Sequence, residues 1–177
     1  MIQRELVIRD IYPLLCDHMD RPEITIITGP RQVGKTTLLQ QLKQYLISQK
    51  QVMPAQILSF TMDLASDQEA LRDQTDFIQF LKGKTGSTSK VYVFVDEAQR
   101  VPDPGIFFKG IYDAHLPVKL ILTGSSSLEF RAKTREPLTG RKREFRVYPF
   151  SFHEYVRAKS GPALMREIWN PKITDIE

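Results

Sequence analysis

After residue 20 the chain alternates short runs of β-branched and aromatic residues with segments whose apolar positions recur every three or four residues. That alternation is the signature of βα units around a parallel sheet, so it predicts an α/β fold. Ile24 to Thr28 reads as a first strand. Lys35 to Gln49 reads as a first helix, with Leu38, Leu39, Leu42, Tyr45 and Leu46 on its core side. Ile57 to Met62 makes a second strand ending at Asp63. Ser66 and Glu69 then have capping-box spacing, which predicts one helix running through Phe77, Ile78 and Leu81 to a stop at Gly83.

Val91 to Val95 is apolar without interruption, as a central parallel strand covered on both faces should be. Asp103 and Pro104 supply a cap and a first-turn proline for a helix to His115. Val118 to Thr123 is a fourth strand, followed by a serine-rich turn in which Ser126 and Glu129 cap a short helix. Arg143 to Tyr148 reads as a fifth strand, and Ser151 with Glu154 forms a capping box for a helix to about Lys159. Ahead of the sheet, Arg9 to Met19 has helical spacing broken by Pro13. The expected division is a leading helix and linker over 1–22, a core over 23–160 and a tail over 161–177.

With 177 residues, 41% of them hydrophobic, one domain can bury a sufficient core without disulfides. The single cysteine, Cys16, excludes an intramolecular disulfide and favours a reducing compartment, and His18, His115 and His153 lie far apart with no CxxC or HxxxH spacing. The start has no apolar signal core and no apolar run approaches the ~20 residues of a membrane helix, so the expectation is a cytoplasmic chain without membrane contact. A formal charge of +4 leaves any affinity for polyanions to local arrangement.

The sharpest motif lies between the first strand and the first helix. Gly29, Pro30, Arg31, Gln32, Val33, Gly34, Lys35 and Thr36 match GxxxxGK[ST] in the setting that the chemistry requires. The glycines let backbone N–H groups curl around phosphates, and the helix N-terminus adds partial positive charge. Lys35 brings a full charge to the β- and γ-phosphates, the Thr36 hydroxyl is a magnesium ligand, and Thr37 is placed to assist at the α-phosphate. Arg31 and Gln32 read as loop surface.

Asp96 and Glu97 end the most apolar strand, which places two carboxylates at the carboxyl edge of the sheet. Asp96 is expected to bind magnesium through its water shell, and Glu97 to orient and deprotonate the attacking water. Glu97 favours an ATPase over a small-molecule kinase, and Gln99 is near the same water or on the surface. Ser125 is the expected γ-phosphate sensor, with Thr123 and Ser126 as geometric equivalents. A serine hydrolase is excluded because Gly124 and Ser125 do not form a GxSxG elbow.

Arg131, Lys133, Arg135, Arg141, Lys142, Arg143 and Arg146 face only Glu136 and Glu144 in the most cationic stretch. Three readings stay open: a solvated face, an arginine finger such as Arg141 acting in its own chain or in an oligomer, and a contact for DNA or a protein partner.

The phosphate loop, Val95 to Gln99, Ile121 to Ser126, Leu138 to Arg141 and Tyr148 to Glu154 occur in this order, and through them the chain resembles a family of prokaryotic AAA-superfamily P-loop ATPases over roughly 20–155. The resemblance implies a three-layer P-loop NTPase fold with a mainly parallel five-stranded sheet of order 5-1-4-3-2, ATP as ligand with magnesium, and nucleotide roles for Gly29, Gly34, Lys35, Thr36, Asp96 and Glu97. It also implies a C-terminal domain beyond the core, so the chain is expected to be part of a longer protein.

Overall fold

The strands lie where the apolar and β-branched runs fall. The computed structural model describes residues 7–86, 90–125 and 137–159. Five strands, β1 (Ile24–Gly29), β2 (Ile57–Thr61), β3 (Val91–Asp96), β4 (Val118–Ser125) and β5 (Lys142–Arg146), form one sheet in the order β2-β3-β4-β1-β5. Every neighbouring pair is parallel. This is the order the resemblance implies, in a three-layer α/β arrangement.

The side-chain period of two splits the central strands between two cores. Ile24, Ile26, Val91, Val93, Val95, Leu120 and Leu122 face one cluster, while Ile27, Tyr92, Phe94 and Ile121 face the other. Helix α1 (Tyr12–Asp17) and helix α2 (Lys35–Ser48) cover the second cluster through Leu15, Leu38, Leu39, Leu42 and Leu46. Helices α4 (Gln74–Thr85) and α5 (Pro104–Asp113) cover the first through Phe77, Leu81, Phe107, Phe108 and Ile111.

Four local expectations are corrected. The segment after β2 is two helices, α3 (Ala65–Ala70) and α4, because Ser66 caps nothing. Asp67 instead accepts the Thr61 N–H at 2.7 Å, and Asp73 caps α4 by accepting from the Thr75 and Asp76 N–H groups. Pro13 occupies the first turn of α1 and so starts the helix rather than breaking it. Asp103 precedes α5 in the left-handed region, with φ 40°, and makes no side-chain cap. That helix also closes at Asp113, two residues earlier than expected.

The Ser151–Glu154 box forms as expected: the Ser151 N–H donates to Glu154 Oε2 at 2.9 Å and the Glu154 N–H to Ser151 Oγ at 3.1 Å. It opens helix α6 over 152–159. The expected helix capped by Ser126 and Glu129, the cations Arg131, Lys133 and Arg135, and the tail over 161–177 lie outside the described residues.

At the amino edge of the sheet, Lys119 of β4 is buried and donates through Nζ to the carbonyls of Arg21, at 3.0 Å, and Glu23. His18 Nδ1 lies 3.3 Å from that ammonium and 2.8 Å from Thr25 Oγ1. Burial, reinforced by the Lys119 charge, pushes the His18 imidazole down to about 4. Its folded value is depressed, so the unfolded chain binds the proton more readily and stability falls as pH drops from about 6.5 to about 4. Urea titrations over that window are expected to show a loss approaching ~3 kcal/mol from this group, and His18→Gln is expected to flatten the slope. An unchanged slope in the variant would assign the loss elsewhere.

Candidate functional site

The parallel register brings the ends of the central strands together. Gly29 of β1 pairs with Ser125 of β4, Thr61 of β2 pairs with Asp96 of β3, and Val95 pairs with Leu122. Gly29 is held there by a close approach: a Cβ at this position would lie 2.4 Å from the Val147 carbonyl oxygen. The Val147 N–H in turn donates to the Thr28 carbonyl at 2.7 Å. Only glycine lets the chain after β5 run so near the start of the phosphate loop.

Between Gly29 and α2 the loop turns through Gln32, at φ 63°, and Gly34, at φ 94°. Pro30, Arg31 and Gln32 are exposed, whereas Val33 buries its side chain in the core beneath and presents only backbone. Lys35 is buried and donates through Nζ to the Gly29 carbonyl at 3.1 Å and to the Pro30 carbonyl at 2.8 Å. Thr36 and Thr37 stand on the first turn of α2, where unpaired N–H groups and the helix dipole favour an anion.

The two motifs, sixty positions apart, meet in one hydrogen bond: Thr36 Oγ1 donates to Asp96 Oδ2 at 2.7 Å. The other oxygen of Asp96 accepts from the Thr123 hydroxyl, whose oxygen also accepts the Glu97 N–H at 3.1 Å. Thr123 is therefore engaged by the acidic pair, which leaves Ser125 as the serine at the end of β4 within the described residues. The Ser125 N–H donates to Gln99 Oε1 at 3.3 Å, and Gln99 Nε2 donates to the Glu97 carboxylate. Glu97 itself has φ 57°, a left-handed conformation that costs about 1 kcal/mol or more in a non-glycine residue and concentrates at functional sites.

A cleft of about 500 Å³ opens between the phosphate loop and Glu97, lined by Arg31, Gln32, Gly34, Lys35, Thr36, Thr37, Asp63, Glu97 and Arg100. Arg100 and Asp63 form an ion pair across it at 2.7 Å, and neither stood out in the sequence. Asp63 follows the end of β2, so the rule that ligands gather at the carboxyl ends of parallel strands would have flagged it. Among the described residues no group of three His, Cys, Asp or Glu side chains is arranged around a cation. One carboxylate beside one hydroxyl instead suits magnesium, which takes a protein ligand or two and completes its shell with water and phosphate.

Arg141 is not in this cleft. It precedes β5, and its carbonyl accepts the Ile24 N–H at the start of β1, the opposite edge of the sheet from the loop. Its guanidinium binds the Asp113 carboxylate at 2.8 Å. A role as an arginine finger on the nucleotide of its own chain is thereby corrected: five parallel residues, about 17 Å, separate the two edges.

Comparisons with known proteins bear on the family and the fold. The curated relatives include an uncharacterized protein of Haemophilus influenzae, 29% identical over 164 residues, which are 90% of this chain and 38% of the relative. An uncharacterized protein of Methanocaldococcus jannaschii is 30% identical over 138 residues, 77% of this chain and 28% of that protein. The chain thus spans well under half the length of these relatives. Among solved structures, Drosophila ORC bound to DNA superposes with a TM-score of 0.55 at 9% identity, over 82% of this chain and 93% of that one. PCH-2 of C. elegans superposes with a TM-score of 0.53 at 16% identity, over 81% of this chain and 41% of that one. At these identities the likeness is one of fold. No described helix is long and apolar enough to cross a membrane. The profile of the AAA domain family matches residues 21–156, and the chain belongs to that family, a nucleotide-binding ATPase-like module.

Proposed function

We propose that this chain binds Mg·ATP in the cleft between the phosphate loop and the end of β3, and hydrolyses it slowly as the ATPase core of a longer cytoplasmic protein. The observation that carries the reading is the Thr36–Asp96 hydrogen bond, which sets a magnesium-type hydroxyl and carboxylate beside the anion-binding turn. Bound magnesium would supply charge neutralisation at the phosphates. The loop N–H groups from Gly29 to Thr37 cradle the phosphates, Thr36 Oγ1 would hold magnesium directly and Asp96 through its water shell, and Lys35 moves from the Gly29 and Pro30 carbonyls to the β- and γ-oxygens. Glu97 takes the proton of the attacking water, and Gln99 steers its carboxylate. Ser125 reads the γ-phosphate from the end of β4.

Calorimetry with Mg·ATP tests the reading directly. Saturable binding that is lost on chelating magnesium is expected, and absence of binding heat would end it.

A second reading has one observation in its favour. Arg143 and Arg146 are exposed on β5, an edge strand, and Arg146 lies 5.2 Å over the ring of exposed Tyr148. In that reading nucleotide switches a module that holds DNA or a partner protein on this edge. DNA affinity that falls steeply with salt and survives Glu97→Gln would favour it.

A further inference from the structure

A guanidinium from the leading segment is buried behind the phosphate loop. Arg9, 6% exposed, donates through Nη1 to the Val33 carbonyl at 2.8 Å, through Nη2 to the Tyr148 carbonyl at 2.6 Å and through Nε to Glu154 Oε1 at 2.9 Å. The ring of Phe150 stacks on it at 4.4 Å. Glu154 is buried as well and also accepts the N–H groups of Asp10 and Ser151, both at 2.9 Å. Burial alone would raise its carboxyl, but Arg9 and these N–H groups overrule burial and hold it at about 2. On the surface beside it, Arg157 binds Asp10 at 2.8 Å. One buried cation therefore joins residues 9–10, the segment 148–154 and the phosphate loop.

The bond to Val33 has a chemical consequence. In a planar trans peptide the carbonyl and the following N–H point in opposite directions, and the chain has no cis peptides among its described residues. Gly34 lines the cleft and Arg9 does not, so a Val33 carbonyl drawn toward Arg9 turns the Gly34 N–H toward the phosphate position. A peptide that ends in a glycine at φ 94° flips easily, and the flipped form would aim a carbonyl oxygen at an anion.

We infer that Arg9, locked by Glu154, is a positioning residue that holds the Val33–Gly34 peptide in the orientation that accepts phosphate. The inference rests on the proposed nucleotide site and adds a residue far from the motif. The population of accepting loop then sets apparent affinity, while the bound state is unchanged once formed.

Two variants test this in the full chain: Arg9→Lys, which keeps the buried charge, and Arg9→Met with Glu154→Gln, which removes both charges and leaves neither alone. Calorimetry with Mg·ATP and with inorganic pyrophosphate, run where circular dichroism shows each variant folded, is expected to give about a tenfold rise in Kd for both ligands. Turnover at saturating Mg·ATP is expected to fall less than threefold. Folded variants with wild-type Kd, or a loss of turnover as large as the loss of affinity, would overturn the positioning role alone. Failure of the wild-type chain to bind either ligand would remove the nucleotide site itself, and the role of Arg9 with it.

Discussion

Lys35→Ala is expected to weaken Mg·ATP binding by about a hundredfold or more, on the order of 3 kcal/mol. The rest of the loop offers the phosphates neutral N–H dipoles and the fractional charge of a helix end, each worth roughly 1 kcal/mol when exposed. Lys35 adds a full charge from a buried position, where it is screened less than a surface lysine would be. Lys35→Arg should not restore binding, because a planar fork does not fit the space between two carbonyls 2.8 and 3.1 Å from the present ammonium. Calorimetry decides: a Kd for the alanine variant within threefold of wild type would remove Lys35 from phosphate binding.

The core of the fold and the heart of the site were readable for the same reason. Strands β1, β3 and β4 are buried on both faces, so each is rich in apolar and β-branched residues, without interruption in β3, and Gly29, Asp96 and Gly124 mark where the runs stop. The pairing of loop with acidic strand end needed only the rule that parallel strands share one carboxyl edge. That same rule, applied strictly, places Arg141 at the far edge because it precedes its strand. The expectation that it serves as a finger for its own chain overlooked strand direction.

What stayed hidden depended on contacts distant in sequence. Ser66 and Glu69 have capping spacing, but Asp67 is drawn to the Thr61 N–H and Asp73 competes as a cap seven residues later, so one apparent helix became two. Arg9 entered the sequence reading only as the first residue of a helical segment running to Met19. Its partners Val33, Tyr148 and Glu154 lie 24 to 145 residues away, and nothing in local periodicity announces them. Arg100 was hidden in the same way, since its pairing with Asp63 exists only once β2 and β3 lie side by side.

Glu97→Gln is expected to leave Mg·ATP affinity within about threefold of wild type while slowing turnover by about a thousandfold, the scale of a lost general base. The side chain is isosteric and the left-handed backbone at this position is anchored by the Glu97 N–H on Thr123 Oγ1, so the loop, Thr36 and Asp96 keep their places. What the amide lacks is basicity: it cannot take a proton from water at neutral pH. Steady-state phosphate release with calorimetry on the same sample measures both quantities. Wild-type turnover in the variant would transfer the water to a group other than residue 97. An affinity loss matching that of Lys35→Ala would mean that Glu97 shapes the phosphate pocket itself, since a group that acts only on the water contributes to the transition state and not to the bound ground state.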